Sequence, residues 1–172
     1  MSLAEALAER AVAGMVVVGI GNPLRGDDAA GCLVARRLRP APGLRVIEAQ
    51  EVPESYLDAI VAGRPGTIVL VDAVALGAPP GAVALLDPRE LAPQAASTHR
   101  VPLAVLAAWL AREAGSEVVV LAIQPAHTEL GAPVSAAVEH AAALVASLLE
   151  RAAREACEPA GACGPRAGAG RC

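Results

Sequence analysis

The sequence predicts an α/β fold, a three-layer sandwich with a central twisted, mostly parallel five-stranded sheet flanked by helices, because strand-like and helix-like segments alternate along it. Five short apolar runs occupy residues 15–20, 44–49, 67–72, 82–86 and 117–124, and three of them have a β-branched centre. Helical patterns fall at residues 28–38, 54–62, 101–113 and 134–154. A chain of 172 residues that is 55% hydrophobic has enough apolar surface for one core.

In order along the chain, the first run opens into a glycine-rich stretch, GIGNPLRGDDAAG at residues 19–31, which enters the first helix. That helix closes on Arg36, Arg37 and Arg39, cations suited to the negative end of a helix dipole, and Pro40 forbids its continuation. The third run, TIVLVDAV, carries Asp72 at its end, and an irregular stretch from Asp87 leads to His99, just before the helix at 101–113. In the last helix Val134, Val138, Ala141, Val145 and Leu148 recur at helical spacing, while Glu139, Glu150, Arg151 and Arg154 can take the other face. CEPAGACGPRAGAGRC, from Cys157 on, is rich in Gly and Pro and cannot offset its ordering entropy. The expected organisation is therefore a single domain over residues 1–155 and a disordered tail over residues 156–172.

Composition removes several functions. Phe is absent and only Trp109 and Tyr56 are aromatic, so few rings could stack on bases; with a net charge of −4 and scattered cations, nucleic acid is not expected as a partner. All 14 basic residues are Arg, which excludes Schiff-base chemistry and a Walker-type lysine. The N-terminal segment carries Glu5 and Glu9, lacks a basic start and has no apolar run long enough for a signal peptide or membrane span, so a cytoplasmic protein without membrane contact is expected. Cys157, Cys163 and Cys172 show no CxxC spacing, which argues against a disulfide framework.

The glycine loop invites comparison with phosphate loops, but Asp27 and Asp28 would repel an anion at a helix N-terminus. The pair suits a cation instead, or one aspartate caps the helix, the commoner role for Asp27, while the other points into a cleft. Asp72 would emerge at the carboxyl edge of the sheet with Asp28 if the two strands are parallel; its alternative is a turn cap before Gly77. Two carboxylates and the His99 imidazole, all from strand-to-helix connections, make an oxygen-and-nitrogen set for a borderline divalent metal such as nickel or zinc. Cys32 reads as a buried structural thiol, His127 and His140 as surface residues, and Asn22 and Gln124 as groups that orient backbone near the cleft. Gly19, Gly21 and Gly26 permit the turn, and the GxSxG elbow of serine hydrolases is absent.

Four blocks in order, GIGNPLRGDD, VDAV, STH before a helix and LAIQP, resemble the nickel-iron hydrogenase maturation endopeptidases, the M52-like peptidase family. The resemblance implies a twisted mixed sheet between helices, and a metal site formed by Asp28, Asp72 and His99, the same three residues carrying catalysis. It implies removal of a C-terminal extension from the hydrogenase large-subunit precursor after nickel insertion. Nickel would come with the substrate, with no organic cofactor, and the enzyme would be a monomer docking transiently on its precursor. Ala29 stands where the family often has Gly, so a slightly different local turn is expected. The acid pair could activate water as an aspartic protease does, although Asp72 is followed by Ala73 and Val74 and not by the Thr/Ser-Gly of that class. Other readings remain open: a non-catalytic nickel-binding or nickel-delivery module, which the tail cysteines would suit, and a nucleotide-binding domain using the glycine loop. Residues 87–97 are the candidate surface for contact with the substrate's tail.

Overall fold

Each strand lands where its apolar run predicts. The computed structural model describes residues 1–91 and 101–157. Its elements are α1 (Leu3–Ala11), β1 (Met15–Ile20), α2 (Ala30–Arg37), β2 (Leu44–Gln50), α3 (Leu57–Val61), β3 (Thr67–Ala73), β4 (Val83–Leu86), α4 (Leu103–Ala114), β5 (Glu117–Ile123) and α5 (Ala136–Cys157). The sheet order is β2-β1-β3-β5-β4. The first four strands in that order are parallel, and β4 runs antiparallel along β5 at the edge.

The interior strands β1 and β3 are buried on both faces, which is why they read as continuous apolar runs. Alternate side chains serve opposite layers. Val17, Val69, Val71 and Leu121 pack with Leu7 of α1, Val34 of α2 and Val145 and Leu149 of α5. Val16, Val18, Ile68, Leu70 and Val120 pack with Ile60 of α3 and Leu106 and Leu110 of α4. Burying each such Leu, Ile or Val contributes about 1.5–3 kcal/mol, so the two layers together fix the register of the whole sheet.

Three differences from the sequence reading have local causes. Residues 28 and 29 belong to a 3₁₀ turn, Gly26–Ala29, that precedes α2. The helix α1 was not foreseen, although Ser2 and Glu5 form a reciprocal capping box at its start. At the other end α5 continues through Cys157, whose thiol donates to the Pro42 carbonyl at 3.0 Å; residues 158–172 of the expected tail lie outside the described residues.

Candidate active site

Two carboxylates emerge at the carboxyl edge of the sheet because β1 and β3 are parallel neighbours, with Gly19 level with Val71. Asp72 is the penultimate residue of β3, and Asp28 lies in the 3₁₀ turn that follows β1. The elements that carry them are held close by Gly31, in the first turn of α2: a Cβ there would meet the Val71 carbonyl at 2.1 Å and the Ile20 carbonyl at 2.2 Å. Only a glycine lets the helix sit so tightly on both strand ends. Gly21, at φ 134°, turns the chain out of β1 so closely under Asp28 that a Cβ would lie 1.8 Å from its carbonyl oxygen.

Both acids are largely shielded from solvent, Asp28 at 5% and Asp72 at 3% exposure. The backbone N–H of Asn22 donates to Asp28 Oδ2 at 3.1 Å, and that of Ala73 to Asp72 Oδ1 at 2.8 Å. The Cys32 thiol lies within the field of both. Its pKa is pushed up to about 12, chiefly by burial, then by the charge of Glu48, with Asp72 and Asp28 adding to the shift and Arg36 opposing it. This cysteine is a core group donating to the Gly21 carbonyl at 3.4 Å, as the sequence suggested, and it supplies no thiolate.

Asp27 departs from the expected role. Its side chain caps neither the 3₁₀ turn nor α2. It is fully buried and accepts from Ala126 N at 2.7 Å, Ser135 N at 2.6 Å and Ser135 Oγ at 2.9 Å. Ser135 Oγ in turn accepts from Val138 N at 3.3 Å in the first turn of α5. Burial pushes the Asp27 carboxyl up, but the bonds from Ser135, Ala126 and the His127 backbone outweigh it and hold the carboxyl below its ordinary value. The expected cap thus became a buried anchor between the β1–α2 loop and the β5–α5 loop. Asp27 N also donates to the His127 carbonyl at 3.0 Å, and Gly131 N to the Leu24 carbonyl at 2.8 Å, so the two loops are tied together along their length. Ser135 and this link went unseen in the sequence reading, which placed residue 135 inside the helix expected over 134–154, whereas the helix begins at Ala136.

The loop is ill suited to cradle a phosphate, because six of its amides are already bonded. Those of Gly21, Arg25, Asp27 and Asp28 donate to the carbonyls of Gln50, Asn22, His127 and Arg25. Those of Asn22 and Leu24 donate to the side chains of Asp28 and Asn22. Gln124 also acts as expected: its Oε1 accepts from Leu76 N at 2.6 Å and pins the segment after β3. Ala29 sits at φ −70°, ψ −5°, a helical conformation open to any residue, so the missing glycine costs the turn nothing.

His99 lies outside the described residues, as do residues 92–97 of the candidate contact surface. The helix after His99 is described. The far end of α4 reaches the amino edge, where Glu117 N donates to the Gly66 carbonyl, and its 12 residues run back to Leu103, which belongs to the same buried cluster as Val74, just beyond β3. His140 is exposed, in line with the reading of a solvated residue, and the His127 side chain is about one-third exposed, at 35%.

A mostly parallel α/β sheet with two buried carboxylates at its carboxyl edge defines the class: a small α/β domain of the kind that takes ligands at that edge. The particular family comes from comparison. The hydrogenase maturation protease (HycI) family model matches residues 32–152. The Hydrogenase 3 maturation protease of Escherichia coli K12 is 37% identical over 113 residues, covering 64% of this chain and 72% of that protein. The crystal structure of a NiFe hydrogenase maturation protease from Thermococcus kodakarensis KOD1 superposes with a TM-score of 0.79 at 34% identity, over 87% of this chain and 99% of that one. The solution structure of the Escherichia coli endopeptidase HycI gives 0.72 at 32% identity, over 80% and 90%. This chain belongs to the hydrogenase maturation protease family and shares its five-stranded, mostly parallel sheet and its endopeptidase function. No helix among the described residues is long and apolar enough to cross a membrane.

Proposed function

We propose that this endopeptidase removes the C-terminal extension of a nickel-iron hydrogenase large-subunit precursor once nickel has been inserted, and that Asp28, Asp72 and His99 contact the nickel carried by that substrate. The observation that supports the reading is the convergence of Asp28 and Asp72, from separate elements, on one edge of the sheet. Two carboxylate oxygens and an imidazole suit a borderline divalent ion, and a set of three leaves positions on the metal for the substrate's own ligands. Nickel held there orients the scissile bond and polarises its carbonyl or a bound water. The water oxygen adds to the carbonyl carbon, the C–N bond breaks, and the amine leaves with a proton. An aspartic-type step, with the acid pair activating water directly, is a formal description of the same residues. The metal-contact reading has the advantage of explaining how an enzyme would distinguish a loaded precursor from an empty one.

The test is intact-mass spectrometry of the precursor, nickel-loaded or nickel-free, after incubation with the wild type or with Asp28→Ala. Loss of a C-terminal peptide from the loaded precursor alone, and with wild type alone, is expected. Cleavage of both precursors refutes nickel gating. An unchanged mass with nickel transferred to the precursor points to a delivery module.

A further inference from the structure

We propose that Leu24, Arg25 and Leu130 form a docking lip beside the acid pair, which receives a surface of the precursor combining aliphatic side chains with a carboxylate or main-chain carbonyl. The inference rests on the preceding reading of the substrate. Leu24 is 69% exposed and Leu130 72% exposed. Single exposed leucines are commonplace; what matters is that these two lie on loops joined by the Gly131 N to Leu24 O hydrogen bond and anchored by Asp27. The lip is therefore ordered before any partner arrives, and its exposure is not offset by loop entropy on binding. Asp28 N donates to the Arg25 carbonyl at 3.1 Å, so the lip adjoins the turn that carries Asp28. On the other flank, Val52 and Tyr56 follow β2 at the same edge and are also exposed.

Arg25 supplies the polar half. Its Nε is buried without a hydrogen-bond partner, and its guanidinium makes no ion pair among the described residues. Arg36 and Arg37, by contrast, are paired to Glu48 and Glu139. A guanidinium with an unsatisfied Nε and no ion pair among the described residues, next to Leu24, recognises an acceptor at the border of an apolar patch. In a chain of net charge −4, it provides a cation at the rim of an acidic site.

The experiment measures binding separately from cleavage. Affinity of the full-length chain for the nickel-loaded precursor is read by biolayer interferometry for wild type, Leu24→Ser/Leu130→Ser, Arg25→Gln and the control Val12→Ser. Val12 is 74% exposed and lies just before β1, at the opposite edge of the sheet. The double serine and the glutamine variants are each expected to weaken binding by about tenfold or more, with melting temperatures and the Val12→Ser affinity unchanged. Wild-type binding that both lip variants retain in full overturns the lip. A wild type that dimerises through these leucines, with precursor affinity unaffected by their loss, assigns the surface to a second copy and also overturns it. Lip-dependent binding without release of a peptide leaves the lip standing and removes the cleavage reading. Absence of both binding and cleavage removes both.

Discussion

Replacing Asp27 by Asn tests whether a buried charge holds the site's two loops together. The carboxylate receives three donors, Ser135 N on one oxygen and Ala126 N and Ser135 Oγ on the other. An amide presents one acceptor oxygen and one NH₂, so whichever way it is flipped a buried main-chain N–H faces another N–H. That unsatisfied donor costs about 1–3 kcal/mol, and the surviving bonds lose their charge assistance, about 1 kcal/mol more. A total of about 3 kcal/mol corresponds, for a domain of this size, to a melting temperature lowered by about 6–12 °C. Differential scanning calorimetry at pH 7 reads this directly, and an Asn variant melting within about 2 °C of wild type would refute the anchor. The pH dependence has a definite sign. A carboxyl held below its ordinary value gives stability that is complete above that value, 3.8, and is lost as the pH falls through the depressed folded value. The gap between wild type and variant should hold constant from pH 7 to 5 and close only below about pH 3.8; closure at pH 6 would contradict the assignment.

Three further outcomes are expected. His99→Ala abolishes cleavage of the precursor while leaving the melting temperature nearly unchanged, and a folded, fully active variant would eliminate its role at the metal. Gly31→Ala drives a methyl into the Val71 and Ile20 carbonyls, at 2.1 and 2.2 Å, and should lower the melting temperature by about 5 °C or more or prevent folding; a variant melting like wild type would show that α2 can lift off the strands freely. Cys32, with its thiol pushed up to about 12 by burial, should resist iodoacetamide at pH 8 in the native protein and react once unfolded, as read by peptide mapping.

How much of this was legible in the sequence depended on the range of the interaction. β1 matches its apolar run residue for residue, and β2, β3, β4 and β5 differ from theirs by one residue at an end; in β1, β3 and β5 burial on both faces leaves a continuous apolar signature, while the partly buried outer strands β2 and β4 are marked by shorter apolar stretches. Asp28 and Asp72 could be paired in advance, since their positions after strand ends needed only the assumption of parallel strands. The helix α1 was within reach through Ser2 and Glu5 but has few buried residues to announce it: Ala6, Leu7 and Ala11. Asp27 was out of reach. Its partners Ala126 and Ser135 lie 99 and 108 residues away, and no local pattern says which loop will cross above it.

The consecutive acids of the GDD stretch therefore divide their work through surroundings that residue type does not reveal. Both are carboxylates in one 3₁₀ turn, and successive side chains of such a turn point about 120° apart. Asp27 consequently faces the β5–α5 loop, where main-chain N–H groups and a serine saturate it. Asp28 instead accepts from Asn22 N, on the loop that leaves β1, at the carboxyl edge where Asp72 also stands. The division makes the adjacent acids non-equivalent in a way substitutions can expose. Asp27→Asn should be costly to stability before it is costly to chemistry, whereas Asp28→Asn should lose cleavage with a smaller change in melting temperature. Two variants with the same stability loss and the same residual activity would mean that the turn does not separate an anchor from a reacting group.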